Sequence, residues 1–104
     1  MAEVTFRESA LSDLDRHDAW RATLDPPAPP MAEEIVLATL AQLLDYADFR
    51  DLPYSTVTLR AEALPVKRLL VAVRSKAFVV FVGRGIQGGI EVARVRHPGQ
   101  RPLL

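Results

Sequence analysis

The sequence predicts an α+β domain in the order β-α-α-β-β-β, with a two-helix hairpin packed on one face of a small, mainly antiparallel sheet. Three observations carry the prediction. Apolar residues recur at helical spacing through the first half, the run DPPAPP at 25–30 cuts that half in two, and after Pro65 three short runs rich in β-branched and aromatic residues follow. With 104 residues, 49% of them hydrophobic, there is material for one core, so residues 1–104 read as a single domain.

Residues 2–6 (AEVTF) alternate, with Val4 and Phe6 to one side and Glu3 and Thr5 to the other, as a short strand does. From Ser9 the period lengthens. Ala10, Leu14, His17, Arg21 and Leu24 share a helical face, with Trp20 at its edge. Pro26, Pro27, Pro29 and Pro30 lack the amide hydrogen a helix interior needs, so they form a stiff corner. A second helix is predicted over 30–49, with Val36, Leu40, Leu43, Leu44 and Ala47 as its apolar stripe and Glu33 and Glu34 complementing the positive end of its dipole. Residues 56–60 alternate between Pro53 and Pro65 and read either as a strand or as part of a long ordered loop. Residues 67–74 (KRLLVAVR), 77–82 (AFVVFV) and 90–96 (IEVARVR) then form a three-stranded meander.

The glycines of GRGIQG, at 83, 85 and 88, have the spacing of a dinucleotide-binding turn. That chemistry needs a helix after the glycines to receive a pyrophosphate, and an acid about 20 positions later to hold a ribose. Here a strand follows, and no acid lies beyond Glu91. The glycines therefore read as a hairpin loop, and no cofactor is expected. Cysteine is absent and the two histidines, His17 and His97, are far apart in sequence, so no metal site is expected either. No stretch approaches the roughly 18 apolar residues of a membrane span, and the N-terminus lacks the basic start and apolar run of a secretory signal; a cytoplasmic protein without membrane contact is expected.

Formal net charge is zero, yet the charges are segregated. Residues 1–52 hold four basic and eleven acidic side chains, and residues 53–104 hold nine basic against Glu62 and Glu91. Two readings follow: a basic face that meets phosphates or an acidic partner, or two halves that neutralise each other across the fold. The basic set comprises Lys67, Arg68, Arg74, Lys76, Arg84, Arg94, Arg96 and Arg101, with Arg94 and Arg96 on one face of the last strand. The middle strand AFVVFV is apolar on both faces, with Leu70, Ala72 and Val92 adding to the excess. Such a face calls for a partner helix or strand, unless the sheet twists enough to hide it. His97, following arginines, is a candidate general base or a turn histidine bonded to backbone, while His17 reads as a helix residue against the core. Tyr46 and Tyr54 could stack on bases, although Tyr46 falls within the predicted helix and reads better as packing.

The opening VTFRESALSDLD, the helical hairpin and the ending AFVVFV, glycine turn and IEVARVRHPGQRP together resemble the RelE/ParE superfamily of bacterial type II toxins. The resemblance spans nearly the whole chain. It implies growth arrest, a toxin–antitoxin hetero-oligomer, and a cognate antitoxin lying on Arg68, Leu70, Ala72, Phe78, Val80 and Val92. Two activities divide the superfamily. ParE-like members inhibit DNA gyrase without a known catalytic site, and RelE-like members cleave messenger RNA on the ribosome through the 2′-hydroxyl. Where the nuclease pattern R-[VL]-[VL]-Y would stand, this chain has Phe78-Val79-Val80-Phe81, without the phosphate-stabilising arginine or the aromatic hydroxyl. The resemblance thus implies a ParE-like gyrase inhibitor, with Arg74, Lys76, Arg94, Arg96 and Arg101 meeting the target. The alternatives are an endoribonuclease with His97 as base and these cations on phosphate, or an inactive toxin fold that only binds its partner.

Overall fold

Strand β1 (Val4–Phe6) lies parallel to β5 (Ile90–Arg96), and every other pairing in the sheet is antiparallel. The computed structural model describes residues 3–85, 88–97 and 99–100. Two helices, α1 (Glu8–Leu24) and α2 (Ala32–Leu43), follow β1, then a 3₁₀ turn (Phe49–Asp51) and strands β2 (Ser55–Val57), β3 (Val66–Val73) and β4 (Lys76–Arg84). The sheet order is β1-β5-β4-β3-β2, so the predicted α+β architecture is present with the helices on one face and one strand more than the meander requires. Of the two readings open for 56–60, the strand holds only at its start: β2 is three residues long and edges the sheet beside β3. Among the described residues, no helix is long and apolar enough to cross a membrane.

Helix α1 buries Ala10, Leu14 and His17, as its spacing predicts, but Leu24 in its last turn is 67% exposed. The second helix is shorter than predicted and turned by one residue. Its buried stripe is Ile35, Thr39 and Leu43 with Met31 before it, while Leu44 and Ala47 are exposed. Thr39 disguised the stripe. Its hydroxyl donates to the Ile35 carbonyl at 2.7 Å, which lets a polar side chain sit fully buried in the helix interior. The start is set by Asp18 of α1, whose carboxylate accepts from the Met31 and Ala32 amides at 2.8 and 3.2 Å, supplying the charge and acceptors a helix N-terminus lacks. Tyr46 therefore falls past α2 rather than within it, and its ring meets Tyr54 with centroids 6.4 Å apart.

Between β4 and β5 the register slips beside Phe81 and Val82, so Ala93 is the extra residue of a bulge and is fully buried. The glycine turn connects these antiparallel strands, with no helix following it, which removes the geometry of a pyrophosphate site. Gly88 takes φ +83°, and a Cβ on Gly89 would stand 2.7 Å from the Glu3 carbonyl oxygen, so glycine is required at both places. Beyond Val92, no strand among the described residues pairs with the outer edge of β5, and α1 takes its place. Ser9 Oγ donates to the Ala93 carbonyl at 2.7 Å, and the Val95 amide donates to Asp13 at 2.9 Å, which blunts an edge that would otherwise invite pairing.

Candidate functional site

Strand parity and register divide the sheet into two faces with different fates. Toward the helices, Leu69 pairs with Val80 and Val80 with Val95, while Val71 pairs with Phe78; all five are buried. Phe78 (1% exposed), Val80 (0%) and Val92 (0%), expected on an open partner-binding face, belong to this core beneath α1 and α2. The reason is alternation: the bulge at Ala93 keeps Val92 in step with Val82, and both point inward.

The outer face carries two cross-strand rows, Arg68–Phe81–Arg94 and Leu70–Val79–Arg96, followed by Ala72–Ala77. Arg94 and Arg96 do share a side, as counting along the strand predicts. Part of this face is covered by the chain itself, because Leu59 from the segment before β3 closes over Val66 and Phe81 to make a second small core. The remainder is open. Leu70 is 56% exposed, Ala72 and Arg68 are exposed, and Val79 is half-buried. A groove of about 610 Å³ borders the covered end, sharing Val66 and Gly83 with it and walled by Leu64, Pro65 and Arg84.

Among the described residues, the basic side chains are drawn to different partners. Arg94 makes paired hydrogen bonds to Asp13 at 2.8 and 2.9 Å, an arrangement that holds its guanidinium above the ordinary value chiefly through that side-chain hydrogen bond. Arg74 sits in the two-residue turn between β3 and β4 with φ +57° and binds both Glu34 carboxylate oxygens. Arg7 bridges Glu62 and Glu91. Arg94–Asp13 and Arg74–Glu34 each join a base of the second half to an acid of the first and neutralise charge across the fold, whereas Arg7 spends a base of the first half on the two acids of the second and leaves the segregation of the remaining charges in place. Lys67 is consumed as well, donating to the carbonyls of Phe49, Arg50 and Leu52. Arg96 is half-buried on β5, and Arg101 lies outside the described residues.

His97 points the other way. Its ring lies 4.9 Å from that of His17, 4.9 Å from Trp20 and 6.0 Å from Phe78, on the helix side of the sheet. Its Nδ1 accepts from the Gly99 amide at 3.0 Å, which leaves the neutral ring's proton on Nε2. Burial lowers its pKa first, and the Lys76 charge lowers it further. His17 is 9% exposed, and neither ring nitrogen has a hydrogen-bond partner. Its pKa is depressed, by burial above all and then by His97, with Arg21 and Lys76 adding to the effect and Asp18 opposing it. With Arg16, Trp20 and Gln100 these histidines line a cleft of about 500 Å³. The pairing escaped sequence reasoning because the histidines are 80 positions apart; the only signal was that His17 falls on the inward face of α1. Among the described residues, no group of three or more histidine or carboxylate side chains is arranged to hold a metal.

A scan against protein-family models finds no match. A search of curated proteins finds none either.

Proposed function

We propose that this chain is the toxin of a type II toxin–antitoxin pair, ParE-like in acting by binding DNA gyrase, and silenced by an antitoxin segment laid along the outer sheet face. The observation that carries the reading is the apolar strip of exposed Leu70 and Ala72 with half-buried Val79, beside exposed Arg68. An apolar strip flanked by the exposed Arg68 guanidinium suits an amphipathic, acidic segment, whose apolar side chains cover Leu70 and one of whose carboxylates takes Arg68. The groove at Leu64 and Arg84 extends the same surface.

A binding activity is favoured over RNA cleavage by the dispersal of the basic residues. In-line attack by a 2′-hydroxyl requires a base and phosphate-holding cations on one side of the scissile bond. Here Arg94 is tied to Asp13 and Arg74 to Glu34, while His97 faces α1. The nuclease alternative retains one point in its favour, the influence of the Lys76 charge on His97.

The test is induced expression with parallel readout of plasmid topology and transcript cleavage, together with purified protein in a gyrase supercoiling assay. Growth arrest with loss of supercoiling and intact transcripts is expected. Unchanged supercoiling at stoichiometric excess of the protein would refute the gyrase assignment, and transcript cleavage lost in His97→Ala would replace it with the nuclease. Leu70→Asp should leave the fold intact, since Leu70 is solvent-facing, and should release the toxin from the product of its neighbouring antitoxin reading frame.

A further inference from the structure

We propose that the cleft between α1 and the end of β5 binds a phosphomonoester group, free or carried on a nucleotide, through His97, His17 and Arg16 beside the Trp20 ring. The argument starts from a deficit. His17 is more than nine-tenths buried with both nitrogens unpartnered, in a wall of a roughly 500 Å³ cleft. An imidazole so placed costs free energy until something supplies an acceptor for its N–H and a donor for its bare nitrogen. The nearest group, His97, cannot do so, because its ring lies 4.9 Å away at a 30° tilt, in a stacking relation rather than a hydrogen-bonding one.

The surrounding charge selects the ligand. The groups acting on the two rings are Arg21 and Asp18 of α1 and Lys76 of β4, with Arg16 of α1 at the cleft wall. Asp18 is the one acid among them, and its carboxylate is committed to the Met31 and Ala32 amides. Three cations and two imidazoles disfavour a metal ion and favour an oxyanion. A phosphate monoanion offers both acceptor oxygens and a P–OH donor, matching the donor and acceptor capacity of His17 as well as the Nε2–H of His97. The His17 nitrogens lie beneath the cleft surface, so contact with them requires the neighbouring His97 ring to turn aside as the ligand enters. Trp20, 45% exposed and edge-on to His97, provides a flat surface where a base can stack. Both histidines are held neutral by burial and neighbouring charge, so an entering anion draws a proton onto the pair. This cleft is on the helix side of the sheet, away from the row Leu70–Val79–Arg96, so its occupancy does not depend on the toxin assignment.

The experiment follows the two imidazoles of the whole chain by long-range proton–nitrogen NMR during titration with inorganic phosphate, adenosine monophosphate and adenosine. Saturable shifts of both rings with phosphate and with the nucleotide, accompanied by a rise in both histidine pKa values, are expected. His97→Gln and Arg16→Ala, the latter at an exposed position that leaves the core untouched, should each weaken binding about tenfold, the equivalent of one charge-assisted hydrogen bond. Tighter binding of the nucleotide than of phosphate, abolished by Trp20→Ala, identifies a nucleotide as the ligand; equal binding, indifferent to Trp20→Ala, identifies phosphate alone. Unmoved imidazoles, adenosine binding as tightly as its monophosphate, or full affinity in both variants would overturn the proposal.

Discussion

Asp13 and His17 stand one turn apart on the same face of α1, against the same strand, and their environments could hardly differ more. Asp13 is 6% exposed at its side chain and accepts three hydrogen bonds, two from the Arg94 guanidinium and one from the Val95 amide. His17, similarly buried, accepts and donates none. The first residue completes the fold by replacing a missing neighbour strand. The second contributes packing against Phe78 and leaves its polarity unanswered. The contrast teaches that burial of a polar group on one helix face can serve stability at one turn and be kept at a cost at the next, where the cost itself marks the place to look for function.

Four measurements would break or sharpen that contrast. Asp13→Ala strands a partly buried guanidinium and a strand-edge amide together, and a loss of about 3 kcal/mol in urea unfolding is expected; Asp13→Asn, which keeps an acceptor for Val95, should lose less. His17→Leu should change stability in the opposite direction, raising it by about 1 kcal/mol, because it removes two unsatisfied nitrogens while retaining bulk. A loss on His17→Leu larger than that gain would show that the imidazole has a partner in solution.

The third measurement is the pH dependence of the midpoint of thermal unfolding. Both histidines have folded-state pKa values depressed below the ordinary 6.5, so the unfolded chain binds more protons in that range. Stability should therefore be fully present above 6.5 and fall as pH drops through that value toward the folded pKa values, with His17→Leu flattening the slope. The smallest effect is expected at the solvent-facing ion pair. Arg74→Gly loses a screened contact to Glu34 but relieves a left-handed backbone, so the thermal midpoint should stay the same or rise slightly.

Much of the fold was legible because it rests on periodicity. The switch from helical spacing to strand runs locates α1, β3, β4 and β5, and the run IEVARVR after the glycines is a strand in the structure as in the sequence. What escaped was what periodicity does not encode. Thr39 looks polar in sequence, so helical spacing points to Val36 and Leu40 beside Leu43, where the structure buries Ile35 and Thr39 with Leu43. A strand apolar on both sides does not say which side the helices take, and here they take the side of Phe78, Val80 and Val92 that the sequence reading leaves open to a partner. The arginines are all visible in the sequence, but Arg74, Arg94 and Arg7 find carboxylates 40 to 84 positions away, in Glu34, Asp13 and Glu91. Only the tertiary structure tells a guanidinium held by the protein from one offered to a partner.

The parallel pairing of Val4, Thr5 and Phe6 with Ile90, Glu91 and Val92 has a kinetic consequence. β1 is synthesised more than 80 residues before β5 and has no seat until β5 exists, and Gly89 must nestle against Glu3 for the two to meet. Sheet closure is thus a late, long-range event, and a chain lacking β5 would carry β1 as a loose thread over a half-built layer.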